Sequence, residues 1–331
     1  MTASVRFGGA AIAAAALLLS LGSQDARAQT YVAKVTSTAQ ADHPTMLGVK
    51  RIADIVREKT KGEVEIQGFP SGQLGGEVES LEGMKLGSIQ GGLITSSLFI
   101  QWVPEFEVID LPFVFRDDAH AQLACNRLFQ ALLAPKLVAH GFRSAGCFNF
   151  GGRDLISTFP ITKLADVQGR KLRVIQSPAF IKIWQTVGAN PVGIPAPEIY
   201  SALQTKVVDF IENPKTNYLT FRWYEVAKHF TPLGYVNSIQ FLTFSERWWS
   251  RLPPGHQQAI LDATSEVLPG VSAQLRESDT KNLARTVELG ATVHEMTDRP
   301  EWQKRMAPIW EEYRKKIPDG AKIVDQVVEL R

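Results

Sequence analysis

MKLGSIQGGLI, residues 84–94, reads as the end of a helix, a glycine stop at Gly87 and an apolar strand over Ile89–Ile94. Upstream the same helix begins at about Gly76 and sets Val78, Leu81 and Met84 on one face, the spacing of an amphipathic helix. A similar helix-then-strand unit stands in the second half as ALQTKVVDFI, residues 202–211, with its strand over Val207–Ile211. Working outward, Tyr31–Val35 and Glu63–Ile66 read as strands on either side of a helix. Asp42 is placed to cap that helix, Pro44 falls in its first turn, and Val49, Ile52, Ala53 and Val56 recur on one side up to Gly62. In the second half Lys171–Ile175 reads as a strand, and Ala179–Val187 and Pro197–Thr205 as helices. Alternating strands and helices imply a mostly parallel sheet covered by helices, and two such units imply two similar lobes. Pro254 to about Leu289 is strongly helical, with Pro269-Gly270 expected to kink or break it. A strand near Ala291–Met296 and a helix over Glu301–Lys316 complete the chain.

The N-terminus carries Arg6, an apolar run from Gly8 to Leu21, and Ala26-Arg27-Ala28, the pattern of an export signal cleaved after Ala28. The run is shorter than the roughly 20 residues a membrane helix needs, and no second run of that length follows. With no cysteine near the cut, a lipid anchor has no attachment point. The expected mature chain is therefore a freely diffusing periplasmic protein. Removing Arg6, Arg27 and Asp25 leaves 34 basic against 33 acidic residues, so no overall field recruits nucleic acid or an anionic membrane. About 300 residues exceed what one core usually supports. In an oxidising compartment Cys125 and Cys147 can form a disulfide, the alternative being two buried thiols.

The motifs of nucleotide-binding loops, serine-nucleophile elbows and zinc-binding helices do not occur. The six histidines (His43, His120, His140, His229, His256 and His294) are scattered without ligand spacing, so no metal and no cofactor are expected. Arginine stands out instead. Arg153 follows a glycine pair where the second half opens, and Arg173 sits inside the apolar strand Leu172-Arg173-Val174-Ile175. A guanidinium there requires an anionic partner. That partner can be an internal Asp or Glu, or a ligand carboxylate whose two oxygens match the guanidinium fork. Asn213, expected just beyond the strand Val207–Ile211, lies where open α/β sheets place their ligand crevice, although Glu-Asn-Pro also makes an ordinary turn.

At these residues the sequence resembles the extracytoplasmic solute-binding proteins of tripartite ATP-independent periplasmic (TRAP) transporters, of the dicarboxylate-binding (DctP) type. The runs that carry the resemblance include FPSGQLGGE at 69–77, VIDLPFVF at 108–115, GGRDLIST at 151–158, LADVQGRKLRV at 164–174, VGANPVGIPAPEIYSALQT at 187–205 and VVDFIENP at 207–214. The resemblance implies a periplasmic-binding-protein-like α/β fold of two lobes, with a ligand cleft between them and a long helix spanning both. It places lobe I at 29–150 plus about 239–278, and lobe II at 151–238 plus about 279–331. It implies that Arg173 holds a ligand carboxylate, that Arg153 and Asn213 assist, and that Gln176 lines the same pocket. Thr38, Glu77, Thr95 and Ser96 would face the ligand's far end, with Tyr235 a further candidate. Ala196 stands where sialic-acid-binding members carry an aromatic ring, so the pocket should be wider there. The implied protein is a monomer that does no chemistry, binds a small organic carboxylate and delivers it to a membrane permease. The rival readings are a receptor of another transporter class, against which the DLPF and GRKLRV runs argue, and a secreted lyase or hydrolase on the same scaffold.

Overall fold

The computed structural model describes residues 1–2 and 30–331. The expected export signal, with its apolar run and cleavage site, lies outside the described residues. Among those residues no helix is long and apolar enough to cross a membrane.

Among the described residues ten strands run in two connected sheets: β1 (Tyr31–Thr36), β2 (Val64–Phe69), β3 (Gly91–Thr95), β4 (Phe142–Ser157), β5 (Lys171–Val174), β6 (Asn190–Gly193), β7 (Phe210–Pro214), β8 (His229–Thr231), β9 (Asn237–Ser245) and β10 (Thr292–Val293). The main helices are α1 (Pro44–Lys59), α2 (Glu77–Leu86), α3 (Asp118–Ala124), α4 (Pro178–Thr186), α5 (Ile199–Gln204), α6 (Lys215–Thr220), α7 (Pro254–Glu288), α8 (Arg299–Lys316) and α9 (Gly320–Glu329). The strand order is β2-β1-β3-β9-β4-β7-β5-β6, with β8 joining β4 to β10. Each lobe keeps a parallel kernel, β2-β1-β3 in one and β7-β5-β6 in the other. The sheet is mixed rather than mostly parallel, because β4 and β9 run antiparallel to their neighbours. The 16 residues of β4 serve both lobes: Phe142–Gly152 pair with β9, and Arg153–Ser157 pair with β7.

Glycines bound α2 as the sequence suggests, with Gly76 at its N-cap and Gly87 in the left-handed conformation at its C-cap. At α1 the cap is His43 and not Asp42. Pro44 fixes the first helical position, so the residue directly before it caps, and His43 Nδ1 accepts from the Thr45 backbone N–H at 3.3 Å. In the second half the expected strand Val207–Ile211 is displaced to Phe210–Pro214. The amides of Val207 and Val208 both turn back to the Ala202 carbonyl and close the end of α5, which delays the strand. Asn213 therefore lies within β7 and not beyond it. The expected strand Ala291–Met296 shrinks to Thr292–Val293, and α9 is a helix that periodicity alone did not reveal.

The long helix α7 is not broken at Pro269; it runs unbroken over 35 residues, about 50 Å at 1.5 Å per residue. An internal proline costs on the order of 3 kcal/mol. Burial of Leu268, Val271 and Leu275, at roughly 1.5–3 kcal/mol each, outweighs it. Gly48 lets α1 come close here, since a Cβ on it would lie 2.5 Å from Val271. The same helix reaches α6 at its far half, where the Thr216 hydroxyl donates to Asp279, so α7 touches both lobes. Cys125 and Cys147 are joined as a disulfide with their Cα atoms 5.9 Å apart, tying the segment after α3 to β4.

Candidate functional site

The carboxyl ends of β1, β3, β5 and β7 converge on a polar cavity between the two sheets. It is lined by Thr38, Glu77, Thr95, Phe150, Arg153, Arg173, Ile175, Ala196, Asn213, Pro214, Asn217, Ser238 and Gln240. Open α/β sheets place ligands at such carboxyl ends. Of the residues singled out from sequence, Thr38, Glu77, Thr95, Arg153, Arg173 and Asn213 come together here. Gln176, Ser96 and Tyr235 are not among the lining residues. Gln176 has passed beyond the end of β5 and lies against β6, its Cα 3.2 Å from where a Cβ on Gly193 would stand. Ser96 turns away from Thr95 into a buried 3₁₀ turn. Tyr235 sits one layer back.

The two arginines differ in kind. Arg153, on β4, spends its fork internally: it pairs with both carboxylate oxygens of buried Glu212, donates to the Glu212 carbonyl at 2.9 Å and to Ser238 Oγ at 2.7 Å. Tyr235 donates its hydroxyl to Glu212 Oε2 at 2.8 Å and accepts from Trp184 Nε1 at 2.9 Å. The ring of Phe180 lies under the Arg153 guanidinium at 5.1 Å. The internal ion pair considered for a buried arginine thus belongs to Arg153, and Tyr235 holds its partner.

Arg173 sits at the end of β5, 3% exposed, and its Nε donates to the Ile194 carbonyl at 2.8 Å. Among the described residues no carboxylate lies within 4.0 Å of it. Burial pushes its guanidinium down to about 10, with Arg153 adding to the fall and Glu212 and Glu77 opposing it. Across the cavity Glu77 Oε1 accepts from the Thr95 backbone N–H at 2.7 Å and from its hydroxyl at 2.9 Å. Burial raises the Glu77 carboxyl above its ordinary value, although those two hydrogen bonds and both arginines pull the other way. Asn217 Nδ2 donates to Asn213 Oδ1 at 2.6 Å, which orients both amides at the β7–α6 joint. The cavity wall presents one guanidinium fork still to be matched, with hydrogen-bonding groups opposite it. That arrangement suits a small anion carrying polar groups at its far end.

Phe150, Ile175, Pro214, Asn217, Ser238 and Gln240 line the cavity without having been singled out. Ser238 and Gln240 alternate with Ile239 and Phe241 along β9, the period of two that marks one polar face of a strand. Asn217 follows Asn213 at a spacing of four residues, and that signal was also present.

His229 and His294, far apart in sequence, meet across the β8–β10 pair, with Nδ1 of one 2.8 Å from Nε2 of the other. Among the described residues no cluster of three or more metal-ligating side chains occurs.

Residues 35–316 match the family described as bacterial extracellular solute-binding protein, family 7 (DctP). The C4-dicarboxylate-binding periplasmic protein DctP of Rhodobacter capsulatus is 29% identical over 96% of each chain. The 2,3-diketo-L-gulonate-binding periplasmic protein YiaO of Escherichia coli is 27% identical over 89% of this chain and 90% of that protein. Among solved structures, a TRAP periplasmic solute-binding protein from Sulfurospirillum deleyianum with bound succinate superposes with a TM-score of 0.85 at 30% identity, covering 92% of this chain and all of the other. One from Xanthobacter autotrophicus with bound β-D-galacturonate gives 0.87 at 25% identity, covering 90% of this chain and all of the other.

Proposed function

Since this chain belongs to family 7 of the bacterial extracellular solute-binding proteins and is a TRAP solute-binding protein, we propose that its cleft captures a small organic carboxylate on Arg173 and releases it unchanged to a membrane permease. The observation that carries this reading is the contrast between the two buried arginines: Arg153 is matched by Glu212, and Arg173 is matched by no carboxylate among the described residues. A bidentate pair with a ligand carboxylate would complete Arg173, while Asn213 and Asn217 reach the acid from β7 and α6. Glu77 and Thr95 would accept from or donate to hydroxyl groups at the ligand's other end. Relatives whose names or bound ligands include succinate and galacturonate support an acid of that size.

In this reading the two parallel kernels belong to two lobes, 29–150 plus about 239–278 and 151–238 plus about 279–331. The cavity lies where they face each other, so ligand contacts from both sides favour the closed arrangement and drive closure as a population shift. In this reading the exported chain, cut after Ala28, works as a periplasmic monomer without catalysis. Titration calorimetry with a panel that includes succinate and galacturonate tests it. The expected result is one site per chain, ligand recovered unchanged, and binding weakened roughly thirty-fold or more in Arg173→Ala. Turnover of a bound acid, or an unchanged affinity in Arg173→Ala, would refute it.

A further inference from the structure

Thr38 and Ala196 line two pockets at once. Inward lies the cavity just described, with a volume of about 40 Å³; outward lies a second pocket of about 520 Å³. One water needs roughly 10–15 Å³ on such a measure, so the inner cavity holds only a few water-sized groups. The outer pocket is of the size that small-molecule sites usually have, roughly 300–1,000 Å³. The partition consists of a threonine from the loop after β1 and an alanine from the turn after β6, so it is made by residues of both sides of the cleft. Ala196 presents a single methyl group there.

Three rings, Tyr200, Phe221 and Trp223, line the outer pocket beside polar residues that hydrogen-bond among themselves. Phe221 and Trp223 stack at 4.9 Å with their planes 21° apart. The Tyr200 hydroxyl donates to Glu225 Oε2 at 2.9 Å, and Arg222 Nε donates to Glu225 Oε1 at 2.8 Å, so the rim charges cancel. On the facing wall Ser71 donates to Gln40 Oε1 at 2.9 Å. Arg222 holds a left-handed backbone, φ 58°, in the link between the two stacked rings. A non-glycine residue in that region costs on the order of 1–3 kcal/mol and persists where the surroundings impose it, most often at binding sites. On one flank the lobes are in close contact: a Cβ on Gly72 would lie 2.8 Å from the Pro197 ring, and one on Gly76 would lie 3.4 Å from Pro195.

We propose that the outer pocket is a second subsite for the same solute, which is a carboxylate bearing a planar ring on a short linker. The acid group sits on Arg173, the linker passes between Thr38 and Ala196, and the ring lies against Tyr200 and Phe221. Tyr200 and Phe221 are only half-buried there, and aromatic faces recognise a ring by offset or edge-on packing. The inference rests on the carboxylate reading of Arg173.

Calorimetry on the mature chain with butanoate, phenylacetate, 3-phenylpropanoate and 4-phenylbutanoate, and with succinate as a compact acid, tests it. At least one ring acid should bind roughly ten- to a hundred-fold more tightly than butanoate, the gain that burying a phenyl group brings. Phe221→Ala, which removes a ring from the outer pocket and lies outside the lining of the inner cavity, should remove most of that gain while leaving succinate within about three-fold of its original affinity. Tyr200→Ala should remove part of it. Ring acids no tighter than butanoate would overturn the subsite, and so would equal losses for ring acids and succinate in Phe221→Ala. Failure of the parent reading looks different, because Arg173→Ala would then leave every acid bound as before.

Discussion

Replacing Arg173 with leucine should make the ligand-free protein more stable while ending carboxylate binding. Burial holds the Arg173 guanidinium below its ordinary value, at about 10, so the fold opposes its charged form. Removing the side chain removes that penalty but leaves the Ile194 carbonyl without its donor, a loss of about 1–3 kcal/mol. Leucine also packs as an apolar group against Ile175, so a net gain of about 1–2 kcal/mol is expected, in line with other buried charges replaced by apolar residues. At roughly 2–4 °C per kcal/mol for a domain of this order, the melting temperature should rise by several degrees. The sign of the pH dependence follows from both values lying well above neutral. Below pH about 10 the group is protonated in the folded and the unfolded chain alike, so the gain should be flat between pH 6 and 9. Urea unfolding of the dialysed, ligand-free proteins measures it. A loss of stability in Arg173→Leu would mean that the arginine is matched in the empty protein, and the argument for a waiting carboxylate site would fail.

Glu212→Gln leaves Arg153 buried without a charge partner and should destabilise by about 3–5 kcal/mol in urea unfolding, with part of the loss recovered in the double variant Glu212→Gln, Arg153→Met. Burial raises the Asp110 carboxyl to about 8, so its contribution is fully present below pH 3.8 and is lost as pH rises through 8. Asp110→Asn lacks that loss, and its stability relative to the parent should therefore grow from pH 5 to pH 8.5; a constant difference would refute the assignment. Reducing the Cys125–Cys147 bridge, whose partners are 22 residues apart, should lower stability by about 3 kcal/mol, measured by unfolding with and without reductant.

What could be read from sequence was local. Gly76 and Gly87 delimit α2 because a helix start tolerates, and a left-handed cap demands, a glycine at those positions. Arg173 was conspicuous because a charge among Leu172, Val174 and Ile175 has no local reason to be there. What stayed hidden depends on long-range pairing. Glu212 is 59 residues from Arg153, and only the antiparallel register of β4 against β7 brings them together. The dual pairing of β4 leaves no periodic mark, because most of the strand is buried and the alternation of polar and apolar residues is lost. The continuity of α7 through Pro269 is likewise a tertiary effect, since the packing of its neighbours, not its own propensity, decides the outcome.

The two arginines together explain how a cleft can be both rigid and ligand-dependent. Arg153 joins β4, β7 and β9 through Glu212 and Ser238, so its charge is matched whether or not a solute is present. Arg173 is different, because burial disfavours its charge until an anion arrives. Moving a balance of closed and open forms from 1:99 to 99:1 takes a bias of about 10⁴-fold. Matching Arg173 supplies part of it, and the rest must come from contacts made only when the lobes meet across the ligand. The groups placed to make them are Glu77 and Thr95 on one side, and Asn213 and Asn217 on the other. In the proposed reading affinity and selectivity are thereby separated in space: the arginine would detect that an acid is present, and the groups facing it would decide which acid allows the cleft to shut.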